Sequence, residues 1–242
     1  MVEQSKKTTG MVFIPDSRFM MGSEGTTRSD DEKPRHEVRV KSFYIDKHEV
    51  TNADYVAVMK GKKSPSPEGF DGPNQPVVNV NWNEADACCN AQGKRLATEA
   101  EWEKAAIGLS KGYDQSIECG TPSGKCSNER EVVYNAGHTA DVCSKGEMGY
   151  GTCDMSGNAG EWVADWYDSD YYKNSPSENP TGPFSGEYRV IRGGSWYGNG
   201  GSGGGLRATD RSDGPPGLRD GDIVVGFRCA LSPEDLNKDL KK

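Results

Sequence analysis

Arg189-Val-Ile-Arg-Gly-Gly-Ser-Trp196 and Val225-Gly-Phe-Arg-Cys-Ala230 decide the fold, because they bracket a stretch of a different kind. Residues 188–191 carry the β-branched content of a strand, and Gly193-Gly194 ends it in a tight turn or bulge. Residues 223–227 (IVVGF) read as a second strand. Between them, glycine stands at 198, 200, 201, 203, 204, 205, 214, 217 and 221. Glycine loses the most backbone freedom on folding, so this composition builds a surface loop rather than a regular element.

One reading of the loop is a plain flexible connection. A second comes from what it lacks. Residues 197–230 contain no Lys, Glu, Gln, Met or Trp, although Lys and Glu are common elsewhere. Those five are the residues that an asparagine codon ending in a pyrimidine cannot become when only its adenines are randomised. Gly, Ser, Asp, Tyr, Leu, Arg, Ile and Val are all reachable, and they fill the segment.

The frame Arg192-Gly-Gly-Ser-Trp196, Leu206-Arg-Ala208, Asp210-Arg211 and Gly226-Phe-Arg-Cys229 resembles the end of the formylglycine-generating (sulfatase-modifying) group of C-type lectin folds. Three further segments are similar to that group, in its order: residues 11–22 (MVFIPDSRFMMG), 78–105 (VNVNWNEADACCNAQGKRLATEAEWEKA) and 154–166 (DMSGNAGEWVADW). The resemblance implies an α+β, loop-rich C-type lectin fold of the formylglycine-generating enzyme subgroup. It places one domain at 9–231, with a variable region at about 197–223, between a tail at 1–8 and a charged tail at 232–242.

The family's oxidases carry a cysteine pair just after the Gly-Gly-Ser-aromatic turn, at about Gly198 and Gly203 here, where this chain has no thiol. Without a thiolate there is neither a soft copper ligand nor a nucleophile. The same frame is also similar to the variable proteins of diversity-generating retroelements, in which adenine-directed mutagenesis rewrites this loop. That implies a non-enzymatic binding protein with a diversified ligand face for protein or cell-surface recognition. The contact residues are then Tyr197, Asn199, Ser202, Asp210, Ser212, Asp213, Arg219, Asp220 and Asp222. Tyr gives contact area at low entropy cost, and Ser and Asn adapt. Arg207, Arg211, Trp196 and Phe227 are then framework, the two guanidiniums tying the loop to backbone carbonyls or carboxylates. The alternatives are an oxidase of the formylglycine-generating group, disfavoured by the missing cysteines, and a non-catalytic structural relative.

The family often binds calcium at a Gly-Asn-x-x-Glu-Trp position, which falls on Asn158 and Glu161. Two oxygen ligands beside backbone carbonyls suit a hard cation, and a hydrogen-bonded turn is the competing reading. No cofactor is required. The resemblance also implies a staple between Cys89 and Cys229. Proximity in sequence suggests Cys119–Cys126 and Cys143–Cys153, leaving Cys88 odd.

Composition sets the remaining bounds. Of 242 residues 33% are hydrophobic, and mean hydropathy is −0.80, giving a modest core with many loops. A formal charge of −8 argues against nucleic acid, which calls for a basic patch. No run of apolar residues is long enough to span a membrane. Seven cysteines without a Cys-x-x-Cys, and three scattered histidines, favour disulfides over zinc and an oxidising compartment. The expected location is extracellular or at the cell surface, any signal or lipid anchor having been removed, and the expected state is a monomer.

Along the chain, residues 11–14 and 18–21 flank Pro15-Asp16 and read as a hairpin. Residues 36–45 alternate as one strand. Helices follow from Thr51 or Asn52, from Asn81 or Asn83, and from a capping box Thr98-x-x-Glu101. The charged residues of that last helix read as caps and solvated faces.

Overall fold

The computed structural model describes residues 7–24, 29–108, 132–134, 136–197, 205–219 and 224–236. Within them the strands are β1 (Met11–Ile14), β2 (Ser17–Met21), β3 (His36–Val40), β4 (Phe43–Asp46), β5 (Arg95–Leu96), β6 (Gly160–Trp166), β7 (Arg189–Arg192), β8 (Ser212–Gly214), β9 (Val225–Phe227) and β10 (Cys229–Leu231). The helices are α1 (Asn52–Val58), α2 (Trp82–Ala91), α3 (Glu99–Ile107), α4 (Tyr171–Asn174) and α5 (Pro233–Leu236). All of α1, α2 and α3 start from capping boxes, with Thr51, Asn81 and Thr98 as caps. Each cap side chain takes an orphan N–H of the first turn, while the Asp or Glu three residues on takes the N–H of the cap itself.

Two sheets of four strands run β1-β4-β10-β5 and β8-β7-β6-β9, and β2 pairs with β3 alone. The second sheet is antiparallel except for β6 and β9, which are parallel. Its central strands are covered on both faces. Val163 and Val190 enter one core with Ile14, Phe43, Ile45 and Trp102. Their neighbours Trp162 and Ile191 enter the other with Tyr55, Leu96, Val225 and Phe227. Alternation along a strand sends successive side chains to opposite faces, so two adjacent hydrophobic residues serve two cores.

The hairpin expected around Pro15-Asp16 does not form. Instead β1 pairs with β4 and β2 with β3, and the strand expected over 36–45 is divided at Lys41-Ser42. Lys104 of α3 is the physical reason. Its buried ammonium donates to the carbonyls of Pro15 (2.6 Å), Ser17 (3.3 Å) and Val40 (2.9 Å). Both bends wrap around that one cation. Burial pushes its pKa down to about 8.

Two disulfides are present among the described residues. Cys89–Cys229 joins α2 to β10, and Cys143–Cys153 closes a short loop, both as expected. Cys88 is free and buried. The suggested Cys119–Cys126 pair lies outside the described residues.

Candidate functional site

β7 delivers the chain to the loop through Gly193 and Gly194, both in the left-handed region at φ 87° and 63°. A Cβ on Gly193 would stand 3.1 Å from the Trp102 ring, and one on Gly194 would stand 2.9 Å from the Gly205 carbonyl. The two glycines therefore let the sheet end pass closely between core and loop. Beyond them Trp196 packs on Phe70, with ring centroids 5.9 Å apart, and Tyr197 meets the Trp196 edge at 5.4 Å.

Three arginines fix the returning half of the loop, and one of them, Arg192, holds it by its backbone. Arg192 is fully buried and pairs with Glu103 at 2.5 Å. It also donates to three successive carbonyls, those of Ala208 (2.7 Å), Thr209 (3.2 Å) and Asp210 (2.7 Å). Arg211 makes a two-pronged pair with Glu99 at 2.7 and 3.0 Å, and reaches the carbonyls of Asp31 and Asp168. Its guanidinium lies 4.3 Å from the Tyr172 ring centre. Arg207 pairs with Glu32 at 2.6 and 2.8 Å and with Asp210. Arg207 and Arg211 are thus tied to carboxylates and carbonyls, as the sequence suggested.

The acidic partners were missed. The charged residues of α3 are not all caps and solvated faces: Glu99 and Glu103 are both buried. Burial opposes ionisation of Glu99, and the Arg211 and Arg192 charges override it, holding its carboxyl below the usual range. Burial pushes Glu103 up to about 7 against the pull of Arg192. The available signal was spacing. Two glutamates one turn apart repel on an exposed helix, so a pair flanking Trp102 on α3 called for buried cations.

The structure divides the expected contact residues. Tyr197 is 57% exposed, and Arg219 is exposed and pairs with Glu84. Both border the same segment: Phe70, Val78 and Trp196 share one small cluster, and Arg219 reaches the carbonyl of the next residue, Asn79. Ser212 and Asp213 are half-buried on the edge strand β8, where Asp213 feels the charges of Asp31 and Arg211. They belong to the other end of the loop. Asp210 requires a correction. Its carboxylate accepts from the Arg207 backbone N–H at 2.8 Å and from the Arg207 guanidinium, so it caps a turn inside the frame. Asn199, Ser202, Asp220 and Asp222 lie outside the described residues.

Asn158 and Glu161 do not offer free oxygens. Both Glu161 oxygens are taken by Arg228, at 2.6 and 2.7 Å, and one also accepts from the Trp102 indole N–H at 2.9 Å. The Asn158 carbonyl oxygen accepts from the Ala140 N–H at 2.9 Å. A buried guanidinium stands where a cation was expected, and these residues do not fit calcium in this arrangement.

Comparison with known proteins bears on the same frame. The family description "Sulfatase-modifying factor enzyme 1-like domain" matches residues 1–233. The chain belongs to this family. The formylglycine-generating enzyme of Streptomyces coelicolor is 34% identical over 286 residues, covering 93% of this chain and 90% of that enzyme. The serine/threonine-protein kinase pkn1 of Chlamydia caviae is 34% identical over 246 residues, and the match covers 92% of this chain but only 38% of the kinase. Among solved structures, Treponema denticola variable protein 1 superposes with a TM-score of 0.74 at 28% identity, covering 92% and 95% of the two chains. PvdO from Pseudomonas aeruginosa gives 0.66 at 26%, covering 92% and 94%.

This member of the sulfatase-modifying factor family has the family's α+β fold but not the oxidase's thiols. Positions 198 and 203 are glycine and lie outside the described residues. Cys88 is the free cysteine among the described ones, and burial pushes its thiol up to about 11, away from the reactive thiolate.

Proposed function

We propose that this chain is a non-enzymatic ligand-binding protein whose contact face is rewritten by a diversity-generating retroelement. One observation carries the reading: within the stretch confined to adenine-reachable residues, the chain at 208–210 is held by its backbone carbonyls on Arg192. A loop anchored through its main chain tolerates new side chains, so specificity can change while the fold stays. Its side chains contribute contact, with Tyr197 and Arg219 as anchors of the kind that dominate protein interfaces. The likeness to a variable protein supports this reading, and the partner is a protein or cell-surface ligand met outside the cell by a monomer.

The enzyme reading has its own support, because relatives at 34% identity are named formylglycine-generating enzymes. The missing thiols at 198 and 203 weigh against it. The test joins both. Positions 197, 199, 202, 212, 213, 219, 220 and 222 are randomised over adenine-reachable residues and displayed against a panel of surface proteins. The expected result is folded variants with different partners. Incubation of the parent with copper and a sulfatase-type cysteine peptide should leave the peptide unchanged. Formylglycine above a no-enzyme control would promote the oxidase reading.

A further inference from the structure

Arg189 opens β7 directly opposite Trp166 of β6, and its guanidinium lies 3.5 Å from the centre of the Trp166 ring. Trp82, the first residue of α2, covers the other face of the guanidinium at 3.7 Å. Trp82 is itself fixed, its indole N–H on the Val163 carbonyl at 2.7 Å and its backbone N–H on the Pro216 carbonyl at 3.0 Å. The cation is thus held flat between two indoles, the arrangement that cation–π attraction favours.

What Arg189 lacks is a carboxylate. Among the described residues, every other buried or partly buried arginine pairs with a glutamate at 2.7 Å or less. Arg189 is partly buried and has no such partner. Its Nη1 donates to the Ala164 carbonyl at 2.6 Å, and its Nε is buried without a partner. A partly desolvated cation without a counter-charge is costly to the free fold. A guanidinium carries all its donors in one plane. With both faces closed by rings and Nε inside, the Nη edge is what remains for a partner.

The surroundings are apolar. Tyr188, the preceding residue, is 43% exposed, and Phe184 is fully exposed. Between them Gly186 lies against Trp166, where a Cβ would stand 3.1 Å from the Trp166 side chain. Ala164, whose carbonyl Arg189 holds, lines an open hollow of about 540 Å³.

We propose that Arg189, clamped between Trp82 and Trp166, is the centre of a constant docking site for a protein partner that presents an Asp or Glu carboxylate flanked by apolar residues. The carboxylate meets the Nη edge end-on through two parallel N–H···O bonds, the geometry that suits this pair. The apolar neighbours of that carboxylate cover Tyr188, Phe184 and the Trp166 edge. Exposed aromatic side chains around an arginine are the composition of an interface core. A phosphate fits less well, because one cation in an apolar rim leaves a dianion half-neutralised. The site goes beyond the diversified face and adjoins it through the Trp82 N–H on Pro216. Trp82, Trp166 and Arg189 all lie outside residues 197–223, so every loop variant keeps them.

The experiment follows the indole N–H resonances of Trp82 and Trp166 in the full chain by heteronuclear NMR at constant ionic strength. The probes are a blocked Phe-Asp-Phe peptide, its Phe-Asn-Phe counterpart and inorganic phosphate. Phe-Asp-Phe is expected to shift both resonances saturably. Phe-Asn-Phe should bind at least about tenfold more weakly, the loss that follows from removing a charge-assisted bond pair. Arg189→Lys keeps the charge but not the fork, and is expected to lose about tenfold as well. Tyr197→Ala should bind the peptide as wild type does. Equal binding of the two peptides, no saturable shift, or phosphate binding tighter than Phe-Asp-Phe would overturn the proposal. If Arg189→Lys does not fold, the comparison of the two peptides on wild type decides. Loop-randomised chains that bind Phe-Asp-Phe but no surface protein would sink the diversified-face reading and leave this one standing.

Discussion

At the scale of the residue, exposure and anchoring separate side chains that look alike in sequence. Tyr197 and Asp210 both read as contact residues. Tyr197 is 57% exposed, and Asp210 holds Arg207 by backbone and guanidinium. Tyr197→Ala is expected to change stability by no more than about 0.5 kcal/mol, as surface substitutions do, while weakening binding. Asp210→Ala removes a turn cap and a charge partner, and is expected to cost about 1–3 kcal/mol. Thermal melts of the two variants check this, and equal losses would mean that Tyr197 also holds the fold. The frame role of Asp210 could not be read from its neighbours, because Glu32, which completes the Arg207 pair, lies 175 residues away. Arg207 and Arg211 were legible, since arginines spaced among small residues in a loop need acceptors.

At the scale of the element, helix starts were readable and strand pairing was not. Caps are local chemistry: Thr51, Asn81 and Thr98 act within three residues of themselves. β8 has the sequence Ser-Asp-Gly and no intrinsic strand preference. It exists because β7 offers it an edge, with Val190 opposite Asp213, and because Gly214 leaves room where a Cβ would stand 2.8 Å from Leu218 and 3.0 Å from Trp162. The glycines of the last segment are likewise of two kinds. A Cβ on Gly226 would stand 2.5 Å from the Val77 carbonyl oxygen, a backbone atom that cannot turn aside. One on Gly217 would meet nothing within 4 Å. Gly226→Ala is expected to cost about 1–3 kcal/mol, as overpacking does. Gly217→Ala is expected to be neutral or slightly stabilising through the unfolded chain. Urea denaturation midpoints measure both, and a neutral Gly226→Ala would show that β9 can move away from residue 77.

At the scale of the molecule, the family's four segments carried the fold, because they are the pieces that meet: residues 11–22 supply β1 and β2, residues 78–105 supply α2 and most of α3, residues 154–166 supply β6, and the last segment supplies β7 and β9. The two disulfides then allow a test of what closes the whole. Cys89 and Cys229 are 140 residues apart, and Cys143 and Cys153 are 10 apart. If each acts by restricting the unfolded chain, the long closure contributes on the order of 5 kcal/mol and the short one on the order of 3. Cys229→Ser should therefore lower the melting midpoint by about 10–20 °C, and Cys153→Ser by roughly half as much. Ser fills the place of the thiol in both, so lost packing is small beside the lost closure. The comparison is made in the oxidised protein, with Cys88→Ser as background so that the freed Cys89 has no neighbouring thiol to pair with. An equal loss from the two substitutions would mean that loop length is not the cause. The short staple would then act through the folded state, where Cys153 is bound to Lys47 and Arg228.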